Sequence, residues 1–170
     1  MSTATQQTFA RILGLGAICG LRTMSGPALL SDHLRRGQPR QRGRTPLRWL
    51  GAPGVAALLK VLAAGELLAD KLPGVPARIA PPALAGRAAS GALVGAALAA
   101  LGGQSRVAGA IAGGVAAVAG AFAGYHARRA LTQRLGAPDL PIALLEDAIA
   151  VVGGLGLLRS APRPAAVAGG

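Results

Sequence analysis

Aromatic, acidic and cysteine residues are scarce in this sequence of 170 residues. Aromatic side chains make up 2% of the chain, which leaves almost nothing to stack on nucleic-acid bases. The single cysteine, Cys19, excludes an intramolecular disulfide, and no Cys/His cluster offers a structural zinc site. We therefore interpret Cys19 as a small packing residue.

Charged residues are also few, at 14% of the chain, whereas ordinary soluble domains contain roughly 25%. Lysine and arginine outnumber aspartate and glutamate by 18 to 6, which gives a net charge of +12. Because 52% of the residues are hydrophobic, this excess indicates loop arginines that orient a membrane protein, rather than a nucleic-acid surface. No nucleic-acid partner is expected.

The sequence contains long apolar stretches with few or no charged residues. Two of them, residues 88–105 and 107–127, contain no Lys, Arg, Asp or Glu, and each approaches the roughly 20 residues that cross a bilayer. The apolar segments that do carry charges are residues 8–34, 53–72 and 141–158. The pattern predicts an all-α, polytopic membrane bundle of about five hydrophobic segments.

The chain length favours one domain. We predict a single transmembrane helical domain over residues 1–160, followed by a disordered tail over residues 161–170, where proline, alanine and glycine dominate.

The first segment, residues 8–34, would measure about 40 Å as one helix, which is long for a single crossing. It contains "RTMSGP", in which Pro27 removes a helical donor and the preceding Ser25 and Gly26 favour a kink. The segment is therefore predicted to be broken or re-entrant between Arg22 and Pro27. A broken crossing is the preferred alternative, and either one requires protein or water to cover the exposed backbone.

Ionisable side chains inside the helices are the candidates for a functional site, because a charge at membrane depth costs on the order of 2.5 to 3.5 kcal/mol. A rise of about 1.5 Å per residue places Glu66, Glu146 and Asp147 about 8 to 9 Å inside their helix ends, on the side of loop 73–82. His126 falls on the same side. The candidate substrate- or ion-binding residues are Arg22, Ser25, Glu66, Asp70, His126, Glu146 and Asp147.

Arg22 is expected near the middle of the membrane, beside the break. We expect it to pair with Glu66, or with Glu146 or Asp147, at the floor of a polar cavity. Lys60 is predicted to have a separate structural or interfacial role. No cofactor is expected, and a metal site built from these carboxylates cannot be assigned from their spacing.

Three stretches of the sequence resemble a known family: "GLRTMSGPALL", "AGELLADKLPGVPARIAPPALAGRAASGAL" and "LPIALLEDAIAV". They are similar to the bacterial membrane family called domain of unknown function 4126, over about residues 12–158, and "ELLADKLPGVP" is the most specific part. The resemblance implies a small multi-pass protein of the bacterial inner (plasma) membrane. It carries over no catalytic residue, so the function has to be inferred from the residues.

Two classes of function fit these features. The first is a transporter or carrier in which Arg22 binds an anionic or lipid-head-group substrate, while the buried carboxylates exchange protons or a cation. The second is a structural or assembly protein whose buried ion pairs only fix helix packing. An enzyme is the less favoured class, because Ser25 sits in no recognisable nucleophile motif.

The lipid bilayer, including anionic lipids, is the expected partner, and the glycine spacings in the helices are compatible with a homo-oligomer. The side that holds loop 35–48 carries more arginines than the opposite side, to which Arg87 and Arg128 are assigned. The positive-inside rule then places loop 35–48 in the cytoplasm. Arg11 joins whichever side holds the N-terminus.

Overall fold

The computed structural model describes residues 2–36, 46–69, 79–135 and 138–159, and these residues form helices without any β-strand. The helices are, in chain order, α1 (Thr3–Leu21), α2 (Ser25–Arg36), α3 (Pro46–Leu50), α4 (Pro53–Ala69), α5 (Pro81–Leu101), α6 (Arg106–Leu135), α7 (Asp139–Ala148), a π-helical turn (Ile149–Gly153) and α8 (Gly154–Arg159). The predicted all-α class is confirmed for this part of the chain. The predicted tail, residues 161–170, lies outside the described residues.

Three described helical stretches are long and apolar enough to cross a membrane: Pro81–Leu101, Arg106–Gln133 and Leu140–Arg159. They contain most of the predicted segments 88–105, 107–127 and 141–158. The first predicted segment is divided between α1 and α2, and α4 is described only as far as Ala69. The membrane character therefore rests on three helices, and the count of about five segments stays a prediction.

The connection between α5 and α6 follows from its sequence. Pro81 and Pro82 occupy the first turn of α5, where the missing amide donor costs nothing. At the other end, Gly102 donates its N–H to the Leu98 carbonyl at 3.0 Å. Gly103 follows with a φ of 66°, in the left-handed region that favours glycine. This short turn folds α6 back against α5.

Glycines bring α1, α5 and α6 into backbone contact, and we call these three helices the frame. A Cβ atom added at Gly16 of α1 would lie 2.7 Å from the Gly113 carbonyl oxygen of α6. A Cβ atom added at Gly95 of α5 would overlap the Gly109 carbonyl oxygen. In lipid, helices associate through van der Waals packing, which such close approach maximises. The frame is therefore the most tightly packed part of the bundle.

The chain turns back after α1 instead of continuing along the α1 axis. A Cβ atom added at Gly26 of α2 would overlap the Cys19 sulfur and lie 3.5 Å from the Leu15 carbonyl oxygen. In one straight helix, residues 15 and 26 would be separated by about 16 Å along the axis. The start of α2 therefore lies against the side of α1.

Asp32 ties α2 to α4. Its carboxylate accepts hydrogen bonds from Lys60 Nζ of α4 at 2.6 Å and from Arg36 Nε at 2.6 Å. Next to it, the buried Ser31 hydroxyl donates to the Leu50 carbonyl at 2.5 Å. Lys60 thus lies in the contact between α2 and α4. Among the described helices, α4 packs mainly on α2, with little contact to the frame.

Replacing Gly95 by alanine should destabilise the protein, because the new Cβ atom would collide with the backbone at Gly109 and force α5 and α6 apart. Overpacking of this kind costs about 1–3 kcal/mol. Thermal unfolding of the purified protein in detergent measures the loss. Gly86→Ala is the matched control in the same helix, since no atom lies within 4 Å of its new Cβ. Equal unfolding temperatures for the two variants would contradict the close approach.

Candidate functional site

Four of the predicted site residues meet at residues 22–24, the stretch between α1 and α2 that we call the break: Arg22, Ser25, Glu66 and Asp147. α1 ends at Leu21 and α2 begins at Ser25, so the last carbonyls of α1 and the first amides of α2 have no partner within their own helices. In a membrane-embedded bundle, each such group needs another partner, because an unsatisfied one costs several kcal/mol. The partners come from α4 and α5.

Glu66 of α4 satisfies the amide end of the break. Its Oε1 accepts a hydrogen bond from the Thr23 N–H at 2.7 Å, and its Oε2 accepts one from the Met24 N–H at 2.8 Å. The carboxylate therefore lies at the N-terminus of α2, where the helix dipole favours a negative charge. These two charge-assisted hydrogen bonds attach α4 to the break.

Arg87 and Ser90 of α5 satisfy the carbonyl end. The buried Arg87 donates from Nη1 to the Gly20 carbonyl at 2.6 Å and to the Leu21 carbonyl at 3.1 Å. Its positive charge thus lies at the C-terminus of α1, where the dipole favours it. The Ser90 hydroxyl donates to the Thr23 carbonyl.

Neither Arg87 nor Ser90 is among the sequence-predicted candidates. The available signal is their spacing, because residues three apart share one face of a helix. A charged and a hydroxyl side chain on one face of an otherwise apolar segment indicate that this face meets a polar partner.

Arg22 and Asp147 form the most buried ion pair of the site. Arg22 Nη2 lies 2.5 Å from Asp147 Oδ1, and the side chains are 1% and 15% exposed. The sequence leaves Glu66, Glu146 and Asp147 open as partners of Arg22, and the structure pairs it with Asp147. Since breaking a buried ion pair is strongly unfavourable, each side chain stabilises the other.

Glu146 precedes Asp147 and faces a different helix. Its Oε2 lies 3.7 Å from Arg128 Nη1 of α6, and its side chain is 11% exposed. Successive residues of a helix point about 100° apart, which lets Asp147 reach Arg22 while Glu146 reaches α6. Two ion pairs therefore lie side by side where α7 passes the break.

The structure places the remaining predicted residues differently. The buried Ser25 donates its N–H to the Arg22 carbonyl at 3.3 Å, so it belongs to the break. His126 is exposed on α6, where its ring centroid lies 5.3 Å from that of Tyr125, and it is not brought to the ion pairs. Asp70 lies outside the described residues. Within the described ranges, no group of three His, Cys, Asp or Glu side chains could hold a metal ion.

A π-helical turn follows the acidic pair and sets the orientation of α8. Buried residues recur here every four positions, at Glu146, Ala150, Gly154 and Leu158. In an α-helix, each step of four residues would rotate the buried position by about 40° about the helix axis, away from the bundle. The wider turn at Ile149–Gly153 compensates for this drift. Gly154 consequently packs against Leu29 of α2, while Asp147 still reaches the break.

Helices long and apolar enough to cross a membrane, gathered around buried ion pairs, define an α-helical membrane protein. The sequence profile of the domain of unknown function DUF4126 matches residues 9–168. The chain therefore belongs to the DUF4126 family, which confirms the resemblance. Comparison with characterised proteins and with solved structures finds no significant match.

Removing Arg22 alone should destabilise the protein more than removing it together with Asp147. Arg22→Met leaves the Asp147 charge buried, which costs about 3–5 kcal/mol. The double variant Arg22→Met with Asp147→Leu replaces the pair by apolar groups and should recover most of that loss. Thermal unfolding in detergent compares the variants.

The pair between Lys60 and Asp32 provides the control, because Lys60 is 49% exposed. Lys60→Met should change the free energy of unfolding by about 1 kcal/mol or less. A double variant no more stable than Arg22→Met alone would contradict the mutual dependence of Arg22 and Asp147.

Deleting Val152, which is 69% exposed in the π-helical turn, should be tolerated. The shortened stretch becomes regular α-helix, and its six steps of about 100° from Asp147 to Gly154 nearly equal the rotation of the seven wider steps, so both contacts are kept. Deleting Leu155 from α8 instead rotates the buried Leu158 by about 100° and should lower the unfolding temperature in detergent. Equal losses in the two deletion variants would show that the extra residue of the π-helical turn does not set the register.

Proposed function

We propose that this protein is a membrane transporter or carrier for an anionic group, borne by a small metabolite or a lipid head group. The supporting observation is the Arg22–Asp147 pair, with its 2.5 Å contact and an arginine that is 1% exposed. A charge at membrane depth costs on the order of 2.5 to 3.5 kcal/mol and usually faces a substrate pathway. Glu66 and Glu146 add two further carboxylates beside this pair.

In this proposal α1 and α2 form a re-entrant hairpin, in place of the broken crossing preferred from the sequence. The position of Gly26 beside the Leu15 carbonyl supports this arrangement. α4 runs antiparallel to α2, since Lys60 contacts Asp32 and Glu66 contacts Thr23. Glu66 thus meets the hairpin tip, residues 22–24. Leu157 packs against Gly14 while Asp147 reaches Arg22, so the start of α1 and the end of α8 lie on the same side of the membrane.

Substrate binds by exchange at Arg22. An incoming carboxylate or phosphate competes with Asp147 for the guanidinium, whose N–H donors form a planar fork that matches such anions. A proton taken up by Asp147 removes the competing charge, so that proton binding and anion binding favour each other. During this exchange, Glu66 and Arg87 keep their hydrogen bonds to the backbone amides and carbonyls of the tip.

A structural or assembly role is the second candidate, and the hydrogen bonds at the tip favour it. Glu66 and Arg87 donate or accept hydrogen bonds with the backbone at 2.6–3.1 Å, and these bonds would be needed even in a hairpin that transports nothing. The two functions differ in what the double variant at Arg22 and Asp147 retains. Apolar side chains at positions 22 and 147 can replace the ion pair in packing, but they cannot bind an anionic substrate.

Reconstituted vesicles distinguish the two functions. Uptake of radiolabelled inorganic phosphate tests a free anion, and dithionite bleaching of NBD-labelled phosphatidylglycerol tests transfer of a lipid head group. We expect wild-type flux above that of protein-free vesicles in one of these assays. The double variant Arg22→Met with Asp147→Leu should lose at least about tenfold in rate, or about 1.4 kcal/mol, despite its restored stability.

Lys60→Met is the matched control and should retain the flux, since Lys60 pairs outside the site. Full flux in the stable double variant, or no flux above protein-free vesicles from folded wild-type protein in either assay, would overturn the transport proposal and favour the structural role.

A further inference from the structure

A groove lies between the first half of α1 and the middle of α8, far from Asp147. It contains a cavity of about 360 Å³ lined by Gln7, Ala10, Arg11, Gly156 and Leu157. This volume falls in the range of about 300–1,000 Å³ that is typical of small-molecule sites. Arg11 is 8% exposed, so a nearly buried guanidinium forms part of the cavity wall.

Arg11 of α1 lies close to the level at which α5, a helix long and apolar enough to cross a membrane, ends. A Cβ atom added at Gly102, which directly follows α5, would lie 2.8 Å from Thr8 Oγ1. Thr8 therefore marks the level at which the Pro81–Leu101 stretch ends. Arg11 is about 4.5 Å deeper along α1. This depth is the boundary between the hydrocarbon and head-group regions of a bilayer.

The same two helices continue from Arg11 into the apolar region with aliphatic side chains. Leu157 packs against Gly14, one turn further along α1. Leu13, one turn beyond Ala10 on α1, and Val152, one turn before Gly156, are 49% and 69% exposed. An acyl chain would cover such side chains, and it would gain from contact with them, whereas a free anion would not.

The charge at this end of the bundle selects the type of lipid. Arg106 begins α6, Arg159 ends α8, and Arg36 ends α2. In the proposed hairpin arrangement all three lie on the same side as Arg11. The positive-inside rule assigns that side to the cytoplasm, and the cytoplasmic leaflet carries anionic lipids.

We propose that the groove binds an anionic phospholipid, with its phosphate at Arg11 and Gln7 and one acyl chain along α1 and α8. The five N–H donors of an arginine allow Arg11 to contact both protein and phosphate. The site is separate from Arg22, and only the assignment of the membrane side rests on the proposed hairpin. Binding can therefore be measured without any transport assay.

Native mass spectrometry of the whole protein in detergent tests the site. Dioleoyl phosphatidylglycerol should bind at least about tenfold more tightly than dioleoyl phosphatidylcholine, and Arg11→Gln should abolish this preference. Arg106→Gln is the matched control, because Arg106 is an exposed arginine at the same end and should leave the preference unchanged. Ala10→Phe fills the groove without removing Arg11 and should also prevent binding, which tests the site if Arg11→Gln does not fold.

Three results would overturn the proposal. Unchanged phosphatidylglycerol binding in both Arg11→Gln and Ala10→Phe would exclude the groove. Equal losses in Arg11→Gln and Arg106→Gln would indicate diffuse attraction to a basic surface. Glycerol 3-phosphate, which lacks acyl chains, should compete weakly, and competition as strong as that of the whole lipid would indicate a site for a free anion.

Discussion

Backbone amides and carbonyls exposed by an interrupted helix need partners inside a bilayer, and this requirement accounts for much of the polar chemistry in the bundle. At the break after α1, the carbonyl end receives Arg87 and the amide end receives Glu66. Each charge also complements the dipole of the helix end that it contacts. Arg22 pairs with Asp147 next to these contacts, and its side chain is 1% exposed. Because of this burial and pairing we assign the proposed substrate contact to Arg22, and a supporting role to Glu66.

Local features of the sequence are sufficient to predict the apolar helices, because length and absence of charge define α5 and α6. Gly26 and Pro27 lie in the first turn of α2, directly after residues 22–24. The partners at the break could not be predicted, because they depend on how each helix is rotated about its axis. Arg87 lies close enough to a helix end to reach water by snorkelling, yet the packing of α5 turns it toward α1. His126 lies at a suitable depth, but α6 presents it outward.

The rotation of α8 about its own axis cannot be predicted from the composition of the segment. Alanine, glycine and leucine occur on every face of these segments, so the buried positions of α8 do not stand out as a pattern. The π-helical turn can be recognised only once Gly154 is seen against Leu29 and Asp147 against Arg22. The stretch from Asp147 to Leu157 also connects the two proposed sites. It pairs with Arg22 at one end and lines the Arg11 groove at the other.

The glycine contacts of the frame have a mechanical consequence. Where backbone meets backbone, as between Gly95 and Gly109, there are no rotamers through which the interface could adjust. Such an interface resists sliding, so α1, α5 and α6 form the stiff part of the molecule. α4 meets the rest of the described chain mainly through α2, and it is held there by the polar contacts of Lys60 and Glu66. Among the described helices, compliance is therefore expected in α4, whose Glu66 contacts the backbone of the break.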